Sequence, residues 1–222
     1  MNLNNADIFS AIKCHGAKEI YNGSEGIMVC FKNGIIVSDI DDGQRVLDLL
    51  YKFGLENTDC MSLKNRQAAE FLKEKLGFIR LTPCSQWVYT KDTEPDFDPC
   101  GIEPMRREDI PLAAAHYRTL GDNTEYLTER MEKGRLWGIY IEDNLAGFAG
   151  IHSEGSAGML EILPEYRRRG LAFRLESFII ARLLDMGAVP YCHVIDGNQA
   201  SVKLQQKLGF ERAEKPAVWI SK

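Results

Sequence analysis

Three consecutive arginines, Arg167, Arg168 and Arg169, run directly into Gly170, Leu171 and Ala172, and an apolar, helix-forming run continues to about Leu184. A strand that ends in a glycine-containing turn and opens a helix leaves several backbone N–H groups without partners. The helix dipole adds partial positive charge at the same place. Such an end binds anions. Gly170 and the small Ala172 let the backbone approach a ligand closely, and the guanidinium groups surround it with full charges, so a pyrophosphate is the expected occupant. The pattern R-x-x-G-x-A is short, and a solvated turn can also carry arginines ahead of a helix. The elements on either side decide between the two readings.

GMLEIL reads as the strand that leads into the elbow, and YCHVID as the strand after the helix; Asn198 then opens a further helix that ends in KLGF. Upstream, IEPM is an expected strand, and REDIPLAAAHYRTL an expected helix with Asp109 and Pro111 suited to its first turn. TEYLTERMEKG is a second expected helix. WGIYIEDNLAGFAGI gives two strands turned at Asp143 and Asn144. KDTEPDFDPCG, Lys91 to Gly101, is acidic, carries two prolines and lacks periodicity, so it reads as a linker. Before it, EGIMVCFKNGIIVSDI gives two strands turned at Asn33 and Gly34, DDGQRVLDLLYKFG a helix, and NTDCMSL a strand. No counterpart of the arginine elbow stands between them.

The chain also resembles itself. RQAAEFLKEKLGFIRLTPCSQWVYT, from Arg66, lies over NQASVKLQQKLGFERAEKPAVWISK, from Asn198, without a gap. Leu72, Leu76, Gly77, Phe78 and Trp87 then meet Leu204, Leu208, Gly209, Phe210 and Trp219, and Cys60 meets Cys192. A duplicated strand–helix–strand unit is the reading. The expected division is a first domain over 1–91, a linker over 92–101 and a second domain over 102–222.

With 222 residues and 45% hydrophobic content the chain can fill a real core, and its formal net charge of −5 argues against a surface built to neutralise nucleic-acid phosphates. No run approaches a membrane span and the N-terminus carries no signal-peptide pattern, so a cytoplasmic protein without membrane association is expected. Cys14, Cys30, Cys60, Cys84, Cys100 and Cys192 are scattered and form no CxxC pair; they read as free thiols. His15, His116 and His152 do not cluster with acids or cysteines at ligand spacing, and no metal is expected.

The order strand, elbow, helix, strand, Asn198, helix ending in LGF resembles the GNAT superfamily of N-acetyltransferases. In that family R/Q-x-x-G-x-G/A after the fourth strand holds the pyrophosphate of acetyl-coenzyme A, and here it is similar to Arg167, Gly170 and Ala172, approached through Pro164, Glu165 and Tyr166. The resemblance covers roughly Ile102 to the C-terminus and implies an α/β GNAT fold: a mixed, mostly antiparallel sheet flanked by helices. The first half then reads as a smaller, degenerate GNAT-like domain that binds no cofactor and supplies packing surface, a substrate wall or a homodimer contact. PYCHVIDGNQASVKLQQKLGF more particularly resembles the branch that contains glycine N-acyltransferases.

The resemblance implies acetyl-coenzyme A as cosubstrate. It would be held by the 167–172 elbow, including Arg168, Arg169 and Leu171, by backbone around Leu160, Ile162 and Leu163, and by Asn198, with Ser201 and Gln205 on the following helix. An unprotonated amine would attack the thioester directly, which calls for a proton acceptor. His193, with an ordinary pKa near 6.5, and Glu161, charged within the apolar strand MLEIL, are the two candidates. The tyrosine that many family members use as acid is here Gln205, so the thiolate leaves without a dedicated acid, or Tyr191 or Ser201 takes that role. The missing tyrosine also leaves open a non-catalytic acyl-coenzyme A sensor. Glu125, Glu129, Glu132 and Asp122 around Tyr126 would draw a cationic acceptor. A small-molecule primary amine is therefore expected ahead of a peptide N-terminus or lysine, with Arg130 and Arg135 as the cations an anionic acceptor would need.

Overall fold

In the computed structural model, which describes residues 2–117 and 123–222, the chain separates into two units, one formed by residues 1–90 with 191–222 and the other by residues 91–190. In chain order the first stretch contains α1 (Ala6–Cys14), β1 (Lys18–Gly23), β2 (Gly26–Cys30), β3 (Ile36–Ser38), α2 (Gly43–Phe53), β4 (Cys60–Leu63), α3 (Arg66–Leu76) and β5 (Arg80–Val88). The middle stretch contains β6 (Ile102–Pro104), α4 (Ile110–His116), α5 (Thr124–Glu132), β7 (Leu136–Ile141), β8 (Asn144–Ile151), β9 (Ala157–Ile162) and α6 (Leu171–Asp185). The last stretch contains β10 (Tyr191–Ile195), α7 (Gln199–Leu208) and β11 (Glu211–Ser221).

The first unit is a seven-stranded sheet in the order β1-β2-β3-β4-β11-β5-β10. Only β3 and β4 run parallel, joined through α2. Both repeats have the expected form. Asn65 and Asn198 cap α3 and α7 by accepting the N–H of Ala68 and Ser201 at 3.1 Å. Gly77 and Gly209 end the two helices at φ +70° and +87°, where any other residue would be strained. What periodicity did not reveal is the pairing, because strands are matched between the repeats rather than within them. β4 pairs with β11, β10 pairs with β5, and β5 and β11 meet at the centre. There Cys84 faces Ala217 and Ser85 faces Pro216, two pairs that exchange when one repeat is laid on the other. The sheet therefore has a local pseudo-two-fold. Residues 191–222, which the sequence assigns to the second domain, thus complete the sheet of the first unit. Met28, Ile36, Leu50, Leu63, Leu72 and Ile220 are among the side chains buried under α2 and α3.

The second unit is a four-stranded antiparallel sheet, β6-β7-β8-β9. Its turn from β7 to β8 lies at Glu142 and Asp143, both at positive φ, one residue earlier than the sequence suggests. Leu136, Phe148 and Met159 on one face pack with Ile110 and Ala113 of α4 and Leu127 of α5. Trp137, the next residue along β7, points to the opposite face and meets Phe178 of α6 edge-on at 5.5 Å. The expected 107–120 helix is a 3-10 turn over Arg107–Asp109 followed by α4; residues 118–120 and Asp122 lie outside the described residues. The acidic linker is ordered: Arg174 of α6 donates to the carbonyls of Asp98, at 2.8 Å, and Cys100, and Phe97 packs edge-on against Phe178.

Candidate active site

At the end of β9 a 3-10 turn over Pro164–Tyr166 carries the chain into the elbow. Arg168 stands at φ +63° and Gly170 at φ +80°, so a non-glycine residue is held in the left-handed region beside the glycine that opens α6. Strain of this kind is concentrated at ligand-binding turns. No side chain caps α6, and a Cβ built on Gly170 meets nothing within 4 Å. Gly170 thus leaves room beside the start of a fifteen-residue helix that carries no side-chain cap among the described residues. Leu171 is buried and anchors the turn, while Ala172 is half-buried. These features suit a pyrophosphate. The arginines are not equivalent, however. Arg167 folds back, its Nε donating to Ile162 O at 2.9 Å and its Nη2 pairing with Glu161 at 3.0 Å, whereas Arg169 lies over the Tyr166 ring and donates to Glu165 O.

The first unit contains a revealing contrast at the N-terminus of α2, which also follows a strand. There Asp42 accepts the N–H groups of Gln44 and Arg45 at 2.9 and 3.4 Å. The protein's own carboxylate thus takes at α2 the capping place that no described side chain takes at α6, and the paired β3 and β4 leave no gap between them.

β9 is an edge strand of its sheet. Its register against β8 slips between Phe148 and Gly150, and Met159 within the slip has φ +52°, marking a bulge. Leu163 donates to Ala146 O and its carbonyl accepts from Tyr166 N, so both of its backbone groups are engaged and it is not a pairing partner for a ligand. Strand alternation turns the backbone of Ile162 to the open edge, where its carbonyl already accepts from Arg167 Nε and its N–H is the group left for a ligand; Leu160 lies in the bulge.

On β10, another edge strand, His193 is tightly held. Trp219 Nε1 donates to its Nδ1 at 3.1 Å and its Nε2 lies 2.9 Å from Gln86 Oε1. The ring sits between Tyr191 and Trp219 with centroids 5.5 and 5.7 Å away. With Nδ1 accepting the indole hydrogen, the neutral ring carries its proton on Nε2. The lone pair needed by a base is thus turned to Trp219. Gln86 Oε1 also accepts from Lys64 Nζ at 2.6 Å, and Lys64 pairs with Asp7 at 2.6 Å, with the two charged side chains 0% and 2% exposed. Tyr191 and Gln205 are buried, Ser201 is half-buried, and Asn198 is an exposed cap.

The acidic run on α5 is largely neutralised: Glu129 pairs with Arg130 and Lys133, and Glu132 with Arg107. Two arrangements escaped sequence reading. The Asp7–Lys64 pair joins residues far apart in sequence and has no local signal. The other links Tyr126 Oη to His152 Nδ1 at 2.8 Å. Glycine at 158, beneath the His152 ring, was its one trace in the sequence. Among the described residues, no group of three or more His, Cys, Asp or Glu side chains is placed to hold a metal, and no helix is long and apolar enough to cross a membrane.

The acetyltransferase (GNAT) family matches residues 101–210. A Drosophila melanogaster protein of known structure is similar over 88% of this chain and 73% of its own, with 19% identity and a TM-score of 0.66. A putative GNAT-family acetyltransferase from Novosphingobium aromaticivorans is 29% identical over 64% of this chain and 65% of its own, with a TM-score of 0.52. A GNAT-family acetyltransferase from Colwellia psychrerythraea covers 95% of this chain and 87% of its own at 13% identity and a TM-score of 0.55. No curated protein sequence matches the chain.

Proposed function

Through residues 101–210 the chain belongs to the GNAT acetyltransferase family, and on that premise we propose that it transfers an acetyl group from acetyl-coenzyme A to a primary amine by direct attack. The observation that carries this reading is the N-terminus of α6, opened by Gly170 at φ +80°, with no side-chain cap among the described residues and with open space where a Cβ on Gly170 would stand. Backbone N–H groups at Leu171 and Ala172 hold the pyrophosphate, with Arg168 and Arg169 adding charge. The Ile162 N–H and the backbone of Leu160 offer edge groups for the pantetheine amides to pair with, the Ile162 carbonyl being held by Arg167. Acetyl-coenzyme A, when bound, supplies the acyl group as a thioester. Arg167 and Glu161, paired at 3.0 Å, stiffen the exit from β9. Gln205 cannot serve as an acid, and the leaving thiolate, already fairly stable near neutral pH, departs without one.

Titration calorimetry with acetyl-coenzyme A, followed by a free-thiol release assay across a panel of amines, tests the proposal. Saturable binding and amine-dependent thiol release are expected, and absence of binding refutes it. Binding without release supports a second reading, a non-catalytic acyl-coenzyme A sensor, which is favoured by the buried glutamine at 205. Release confined to free amino acids would point to a glycine-type acceptor instead of a cationic amine.

A further inference from the structure

The second unit contains a concentration of titratable groups away from the elbow. His152 follows directly on β8, and its ring stacks against Tyr126 of α5 with centroids 6.0 Å apart and planes 24° from parallel. Tyr126 Oη lies 2.8 Å from Nδ1 and receives the N–H of Ser153 at 3.3 Å. The far end of the imidazole lies on β9. A Cβ on Gly158 would sit 2.5 Å from Nε2, so the ring occupies the space a side chain would fill. The next residue is Met159, in the bulge at φ +52°.

We propose that His152, oriented by Tyr126, is the group that accepts the proton of the attacking amine, at Nε2. The inference rests on the acetyl-transfer reading, and on a pantetheine arm laid along the open edge of β9 from the elbow reaching the bulge beside Gly158. In the tautomer this role requires, Nδ1–H donates to Tyr126 Oη, which also accepts the N–H of Ser153, and the Nε2 lone pair is left over β9. The amine nitrogen bonds to the thioester carbonyl carbon, the carbon–sulfur bond breaks, sulfur leaves with the electron pair and is protonated by solvent, and the proton lost by nitrogen goes to Nε2. His193 has no comparable freedom, since its Nδ1 faces Trp219 and its Nε2 faces Gln86. The charged and titratable groups facing His152 are Tyr126 and Arg130 from α5 and Glu154 from the hairpin. Burial lowers the imidazole pKa from its ordinary value; Glu154 opposes that shift and Arg130 adds to it. The ring is therefore neutral and ready to accept a proton at pH 7.

The first test needs no turnover. Histidine 15N shifts of the unliganded protein, assigned with a His152→Gln variant, should show the proton on Nδ1; a proton on Nε2 overturns the proposal. In the second test, His152→Gln and Tyr126→Phe are compared with the wild-type protein using acetyl-coenzyme A and the amine panel. His152→Gln should lower kcat/KM by about 10²–10⁴ and abolish the acid limb of the pH profile, with acetyl-coenzyme A affinity unchanged to within about twofold. Tyr126→Phe should shift that limb. If the wild-type protein binds and turns over and a folded His152→Gln variant does the same, the His152 inference fails alone. If the wild-type protein does not bind acetyl-coenzyme A, the acetyl-transfer reading fails, and this inference with it.

Discussion

Replacing Lys64 with methionine removes the ammonium from a pair buried within the seven-stranded sheet's unit. Lys64 Nζ lies 2.6 Å from both Asp7 and Gln86, and neither charged side chain of the pair is more than 2% exposed. In the variant Asp7 keeps the N–H of Ile8 at 2.9 Å, while its other oxygen, now without the ammonium, faces His193 Nε2 at 3.8 Å. Leaving one buried charge uncompensated costs about 3–5 kcal/mol, a large share of the roughly 5–15 kcal/mol that keeps a domain folded. At roughly 2–4 °C per kcal/mol for a chain of this size, Tm should fall by about 6–20 °C. Thermal unfolding followed by circular dichroism measures it. The double variant Asp7→Leu with Lys64→Met should recover most of the loss, since a well-packed apolar replacement of a buried pair is often neutral. A Lys64→Met protein melting within about 2 °C of the wild type would refute the reasoning, because it would mean that the pair contributes under about 1 kcal/mol.

Gly170→Val should leave the fold intact and weaken acetyl-coenzyme A binding by at least about tenfold, roughly 1.4 kcal/mol, whereas Gly170→Asn, which tolerates the left-handed region better, should lose less; calorimetry separates the two. Because burial lowers the folded pKa of His152, the unfolded chain binds that proton first. Stability should then decline as pH falls from about 6.5 toward the folded pKa and level off below it, and His152→Gln should flatten a Tm series across that window. Cys84 is buried and its thiol is pushed up to about 12, so iodoacetamide at neutral pH should modify the exposed Cys100 quickly and Cys84 only on unfolding; mass spectrometry of the labelled peptides reads the order.

The elbow was legible because it is local: a strand end, a glycine at positive φ and a helix start all fall within a few residues, and each has its own residue preference. The repeats were legible for the same reason, through the asparagine caps and the glycines at 77 and 209. Strand partners were not. Pairing β4 with β11 depends on contacts between residues some 150 positions apart, for instance Leu63 with Val218, and periodicity along one strand does not name its neighbour. The state of His193 was hidden likewise, since Trp219, Gln86 and Lys64 converge on it from three other strands or strand ends. Tyr126 and His152 look unremarkable in sequence because stacking across a helix and a hairpin leaves no spacing signature.

The interleaving of the repeats also sets the order in which this protein can be completed as it is made. β4 and β5 are translated early, yet the strand that lies between them, β11, comes after the whole of the second unit in the chain. Until then both present bare hydrogen-bonding edges, and the nascent chain must hold them apart while the whole of the second unit is synthesised. Joining them requires closing a long loop late. Chains that stop short of about residue 210 are accordingly expected to be sticky fragments rather than smaller folded proteins, because the sheet of the first unit has no middle until β11 is in place.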